Sequence, residues 1–339
     1  MAVDAISAVS FSAAPERYPW HDSLWSALAQ QFEKLPHALL LQGRPGLGKH
    51  AFAVQLAQAL LCEQPRAAVA CGQCHSCRLF AAGTHPDLAG IGLVDDAKGI
   101  AVDQIRALGD FLALRPHTSA RKIVIISPAE AMNLNAANSL LKLLEEPPLG
   151  SMLLLVTSHP ARLPATIRSR CARLLFRLPA TATGQSWLGP RPGGSEAARL
   201  LDFAGGAPLL AEAMARDEFS PLRAKLLQDL ASLAQGREHP VSCAARWKGQ
   251  GAGRIFGWLH GFVSDLIKIR MGAPASALRN PELAANDLQN KNKYKISELY
   301  DFIDVILENY RQINSPLDEL LMLESILIRW ARLSRLQSN

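Results

Sequence analysis

Gly43-Arg44-Pro45-Gly46-Leu47-Gly48-Lys49-His50 is the stretch whose reading decides the fold. It follows a short apolar run, His37-Ala-Leu-Leu-Leu-Gln42, and opens into the helical stretch Lys49 to Leu61. An apolar run broken by glycines and resumed at helical period reads as strand, loop and helix. In such a loop the glycines let successive backbone amides curl around phosphate oxygens at a helix N-terminus, and the lysine reaches the outer phosphates. Gly43, Gly46, Gly48 and Lys49 are therefore the candidate phosphate-binding residues. The eighth position of this pattern carries the Ser or Thr hydroxyl that holds magnesium, and here it is His50.

Further apolar runs follow at Asp87 to Val94, where the signal is weak, and at Lys122 to Ile126, Met152 to Thr157 and Arg173 to Leu178. Helical patterns separate most of them. In Val102 to Leu114, Ile105, Leu108 and Leu112 share a face, as do Ala137, Leu140, Leu141 and Leu144 in Ala136 to Glu146. Pro147-Pro148 stops the second helix, because proline lacks the amide and clashes with the preceding turn. Alternation of this kind predicts an α/β P-loop core, a parallel sheet with helices on both faces. A nucleotide hydrolase needs an acidic pair at the end of the third strand, one carboxylate for magnesium and one for the attacking water. The chain has Ser127-Pro128 there, with Glu130 three positions on. To substitute, Glu130 would have to leave the strand end, so hydrolysis by this chain alone is not expected.

Cys62, Cys71, Cys74 and Cys77 lie within sixteen positions, while Cys171 and Cys243 stand alone. Four soft thiolates at that spacing suit tetrahedral zinc, and four cysteines leave no open position for water, so the site reads as structural. Paired disulfides or free buried cysteines are the competing readings, and a reducing cytosol disfavours the first. His75 sits between two ligands, but the thiolates already fill the shell. Zinc would contribute on the order of 10 kcal/mol to the folding of this insert.

Beyond Leu178 the composition shifts. Pro179 to Ser195, with Gly189-Pro-Arg-Pro-Gly-Gly194, reads as a linker or exposed loop, and a domain boundary is expected near it. A short helical region, Glu196 to Arg216, is broken by Gly205-Gly-Ala-Pro208. After it the chain is helical almost to its end: Ile255, Trp258, Leu259, Phe262, Leu266 and Ile269 keep a helical period, as do Ile296, Leu299, Ile303, Ile306 and Tyr310. Leu317 to Leu333 is apolar nearly all round, as expected of a helix in a bundle core or against another subunit. The expected divisions are residues 1–178, 179–219 and 220–339.

At 339 residues, 49% apolar and 19% charged, the chain is long enough for two or three domains with their own cores and too apolar for extensive disorder. No apolar run approaches the roughly 20 residues of a membrane-spanning helix. Met1 to Ala14 carries Asp4 and no basic region, against a signal peptide, so a cytoplasmic protein is expected. A net charge of +6 permits contact with nucleic acid without requiring it.

After the fourth strand the chain reads Thr157-Ser-His-Pro-Ala-Arg162 and then Arg168-Ser-Arg170-Cys171. Together with the phosphate loop, the cysteines directly after its helix, Gly83-Thr-His-Pro-Asp87, Asn138-Ser-Leu-Leu-Lys142 and Glu145-Glu-Pro-Pro148, these motifs resemble the clamp-loader family of AAA+ proteins. The resemblance covers roughly Tyr18 to Leu178; beyond it only helical character and length agree. It implies a core with a zinc-binding insert, a small helical lid and a C-terminal helical oligomerisation domain. It implies that Arg170 acts as an arginine finger in a neighbouring subunit's ATP site and that Thr157 takes the polar sensor position. It further implies a non-motor subunit of a DNA polymerase III clamp loader, with other loader subunits, the sliding clamp and primed DNA as partners. ATP binding by the degenerate loop is expected to be weak or absent. An active loader ATPase is the alternative, which the missing acidic pair opposes. A zinc-dependent nucleic-acid binder is a third reading, disfavoured because no basic stripe with interleaved aromatics is present.

Overall fold

The structure, a computed structural model, describes residues 16–93, 99–192, 194–216, 219–274, 277–278, 280, 283, 294–313 and 317–335. The readings made for Met1 to Ala14, for Val94 and for Gly193 lie outside the described residues. Two compact units form, residues 1–190 with 206–210, and residues 191–205 with 211–339.

The first unit is built on five parallel strands, β1 (Ala38–Gly43), β2 (Leu88–Ile91), β3 (Lys122–Ile126), β4 (Ser151–Thr157) and β5 (Ala172–Phe176), ordered β2-β3-β4-β1-β5. Leu39 pairs with Leu154 on one side and Ala172 on the other, which sets β1 between β4 and β5. β3 and β4 are buried at every position, so both read as continuous apolar runs. Strand periodicity of two separates the core into two layers. Leu39, Leu41, Ile123, Ile125, Leu154 and Phe176 meet Trp25 of α1 (Asp22–Ala29), Phe52 and Leu56 of α2 (Lys49–Leu61) and Phe80 of α3 (His75–Ala81). Leu40, Val124, Ile126, Leu153 and Leu155 meet Ile105 and Leu108 of α4 (Val102–Ala113) and Leu140 and Leu144 of α5 (Leu134–Glu145).

Helix ends follow local chemistry. The Asn133 side chain accepts from the Ala136 amide at 2.8 Å and starts α5, while Gln104 Oε1 accepts from the Ala101 amide at 2.9 Å before α4. The short α6 (Ala165–Arg170) leads into β5.

The linker reading of Pro179 to Ser195 is corrected: α7 (Thr181–Leu188) forms inside it. Trp187 and Leu188 are buried, and Trp187 meets Trp20 edge-on at 5.2 Å and Tyr18 at 5.8 Å. That apolar pair outweighs the Pro and Gly content around it.

The second unit is helical: α8 (Ala197–Phe203), α9 (Pro208–Arg216, whose first three residues belong to the first unit), α10 (Phe219–Ala234), α11 (Pro240–Trp247), α12 (Ala252–Arg270), α13 (Ile296–Gln312) and α14 (Glu319–Arg335). Its core gathers Trp247, Phe256, Phe262, Phe302 and Trp330. Trp330 is fully buried, contacts the rings of Phe262, Tyr294 and Phe302, and donates from Nε1 to the Leu230 carbonyl at 3.0 Å. α14 is less uniformly buried than its composition suggests, because Leu321, Ser325, Arg329 and Arg332 form one exposed stripe. Trp330→Ala is expected to destabilise this unit by about 3–5 kcal/mol, through lost contacts and the cavity left behind. Urea unfolding followed by far-ultraviolet circular dichroism reads the loss, and an unchanged midpoint would refute the central place of Trp330.

Candidate functional site

The phosphate loop joins β1 to α2 and is closed by its own chain. Gly46 and Gly48 have φ of 74° and 78°, and both face crowded neighbours. A Cβ on Gly46 would lie 2.7 Å from Leu210 Cβ, and one on Gly48 would lie 2.5 Å from the Tyr18 ring. Only glycine fits either position. The Leu209 amide donates to the Gly46 carbonyl at 3.2 Å. Trp20 Nε1 at 3.0 Å and His21 Nε2 at 2.7 Å both donate to the Leu47 carbonyl. Burial pushes the His21 pKa down to about 4, so the ring is neutral near pH 7.

Lys49 is buried, and its Nζ donates to the Arg44 carbonyl at 2.7 Å and to Ser158 Oγ at 3.0 Å. Burial lowers its pKa to about 8, with the nearby Glu130 charge opposing the shift. His50 is half-buried, desolvation lowers its pKa, and its Nδ1 has no hydrogen-bond partner among the described residues. Ser127 and Pro128 follow β3 and contribute no carboxylate.

Glu130 reaches the site in a way its sequence position does not suggest. It sits in a 3-10 turn, Ala129–Ala131, that returns toward the end of β4. Its Oε1 accepts from the Ser158 amide at 2.9 Å and from His159 Nδ1 at 3.2 Å. Burial raises its pKa, but hydrogen bonding from its own amide, from the Ser158 amide and from the Thr157 and His159 side chains outweighs burial and leaves it below the usual carboxylate value. Ser158 thus bridges Lys49 and Glu130, and only a turn after Pro128 could have signalled it. Thr157 ends β4, buried, with Oγ1 accepting from the His159 amide at 3.1 Å.

Arg170 closes α6 at the surface. Its Nη2 lies 2.6 Å from Glu145 Oε1, and its Nη1 donates to the Thr166 carbonyl at 3.1 Å. An ion pair this exposed contributes about 0–1 kcal/mol, so little is lost when the guanidinium leaves it.

The four cysteine sulfurs converge, all within 4.8 Å of one another. Cys62 follows α2, Cys74 caps α3 and Cys77 lies within α3. Sulfurs around tetrahedral zinc, with Zn–S about 2.3 Å, stand about 3.8 Å apart. Cys62 and Cys74 are separated by 3.9 Å, and Cys71 and Cys77 by 4.0 Å. Backbone amides of Gln64 and Cys71 point at Cys62 Sγ, and those of Gln73 and Cys74 at Cys71 Sγ. The cluster can hold a metal ion.

Residues 20–180 match the family model described as DNA polymerase III, delta subunit, and residues 217–332 match its C-terminal counterpart. DNA polymerase III subunit delta' of Pseudomonas aeruginosa is 34% identical over 321 residues, covering 93% of this chain and 98% of that protein. The chain belongs to the DNA polymerase III delta-prime subunit family. The Escherichia coli subunit delta' is also 34% identical, over 268 residues, 76% of this chain and 78% of that one. A gamma subunit-related protein from Thermotoga maritima aligns over 92% of this chain and 99% of its own, at 19% identity and a TM-score of 0.44.

In this delta-prime family chain, Gly83-Thr-His-Pro-Asp87 docks the cysteine insert on the sheet. Asp87 is fully buried; its Oδ1 accepts from the His117 amide at 2.6 Å, and its Oδ2 accepts from Thr118 at 2.7 Å and Ser119 at 2.8 Å. Lys122 Nζ lies 3.7 Å from Oδ1. Burial pushes the Asp87 pKa up, but the amides and Lys122 together overcome this and hold it below the ordinary value. A carboxyl depressed in the folded state stabilises the protein above its unfolded pKa of about 3.9, and this is lost as pH falls through the folded pKa. The urea midpoint is therefore expected to drop as pH is lowered from about 4. Asp87→Asn should flatten that dependence, and an unaltered acid limb would rule Asp87 out as its source.

Proposed function

We propose that this chain is a non-motor subunit of a DNA polymerase III sliding-clamp loader. On this reading residues 1–178 form an AAA+ P-loop core, 179–219 a helical lid and 220–339 an oligomerisation domain. It works with other loader subunits in a hetero-oligomer and aids ATP-driven opening of the clamp and its loading on primed DNA.

The observation that carries the reading is the state of the phosphate loop: the Lys49 ammonium, the group that would reach a phosphate, is already bonded to the Arg44 carbonyl and Ser158 Oγ. A phosphate would have to displace contacts that the fold itself makes, and Ser127 and Pro128 stand at the strand end where an acidic pair would activate water. Arg170, by contrast, is exposed and weakly paired. It serves as an arginine finger for a neighbouring ATPase subunit, where such a residue is worth about 10³–10⁵ in rate. The Cys62, Cys71, Cys74 and Cys77 site holds structural zinc, as soft thiolates near tetrahedral spacing favour.

Arg170→Ala is expected to leave folding and assembly intact while slowing ATP hydrolysis at the neighbouring site of the reconstituted loader by about 10³-fold or more, the range for such fingers. Undiminished turnover would remove the finger role. Nucleotide titration of the isolated chain should show weak binding at most. One observation favours the alternative of an active ATPase: Glu130 lies beside Ser158 and leaves Oε2 without a partner among the described residues. A tight magnesium-dependent nucleotide complex would decide for it.

A further inference from the structure

The cysteine insert has two arms, Cys62 at the end of α2 and Cys71, Cys74 and Cys77 around the start of α3. Nothing in the thiolate chemistry fixes how far apart these arms stand before a metal joins them. Ser76 does. Its amide donates to Glu63 Oε1 at 3.0 Å, and its hydroxyl donates to the Leu61 carbonyl at 2.6 Å. Leu61 and Glu63 flank Cys62, while Ser76 lies between Cys74 and Cys77. One buried residue therefore bonds both neighbours of the first ligand from within the segment that carries two others.

His85 holds the same Ser76 hydroxyl. Its Nδ1 accepts from the Asp87 amide at 3.1 Å, which places the ring proton on Nε2, and Nε2 donates to Ser76 Oγ at 2.8 Å. Ser119 Oγ donates to the same Leu61 carbonyl at 3.0 Å, and Asp87 grips the amides of His117, Thr118 and Ser119. The chain of bonds runs from the ligand segment to the loop preceding β3. A helix C-terminus leaves its last carbonyls without internal partners, so the end of α2 is suited to accept both hydroxyls.

We infer that Ser76 and His85 are positioning residues for the four-cysteine centre, setting the separation of its two arms and tying it to the sheet. The inference rests on the reading that the four sulfurs hold a metal. Groups that orient ligands without touching the ion typically change metal affinity 10–100-fold when removed.

The test titrates the full-length chain with Co²⁺, follows the thiolate-to-metal absorption, and then displaces it with Zn²⁺ against a chromophoric chelator. Ser76→Ala and His85→Ala are expected to weaken affinity by about 10–100-fold and to alter the Co²⁺ spectrum. His85→Gln, which keeps an N–H directed at Ser76, should restore most of the loss. Wild-type affinity and spectrum in both folded alanine variants would overturn the inference. Should His85→Ala fail to fold, Ser76→Ala, which removes a single hydroxyl, decides the matter. A wild-type chain that binds neither ion would overturn the metal reading and the inference with it.

Discussion

Lys49 carries an ammonium group into a region where water does not reach it, and a buried cation must find hydrogen-bond acceptors or lose its charge. Desolvation takes its pKa to about 8, so most of the charge survives near neutrality and needs compensation. The Arg44 carbonyl folds the loop back onto its own lysine, and the Ser158 hydroxyl draws in the end of β4. Ser158 in turn gives its amide to Glu130, which brings the turn after β3 to the same point. The ends of β1, β3 and β4 are therefore joined through the Lys49 and Glu130 side chains, which meet at Ser158.

Once Lys49 is satisfied internally, the second half of the loop can be covered, while Arg44 and Pro45 stay exposed. Tyr18 lies against Gly48, and Trp20 and His21 share the Leu47 carbonyl. The surrounding rings, Tyr18, Trp20, His21, Phe52, Phe176 and Trp187, form a continuous edge-to-face and stacked set. Such ring pairs each add about 0.5–1.5 kcal/mol beyond their burial. A loop shaped to surround an anion is thus stabilised by aromatic contacts that need none.

Much of the core was legible because its elements have hard local boundaries. Lys49–Leu61 and Lys122–Ile126 emerge with the expected limits: glycine precedes the first, and the second is an unbroken apolar run. The convergence of the four cysteines was also legible, since three of them lie within seven residues and the chain between Cys62 and Cys71 is short. The helix Thr181–Leu188 was hidden by its Pro and Gly surroundings, because its stability comes from Trp187 packing against residues 160 or more positions earlier. Glu130 was missed for a related reason. Its place depends on a tight turn that no periodicity records. The Ser76–His85 bond links residues that no spacing rule pairs.

α2 begins directly after Gly48 of the glycine loop and ends directly before Cys62. Thirteen residues at 1.5 Å each make a rod about 20 Å long, pinned at both ends and along one side by Phe52 and Leu56. One helix thus sets the distance between the sulfur cluster and the glycine loop. Preserving the register of one therefore constrains the other, even where no phosphate is ever bound.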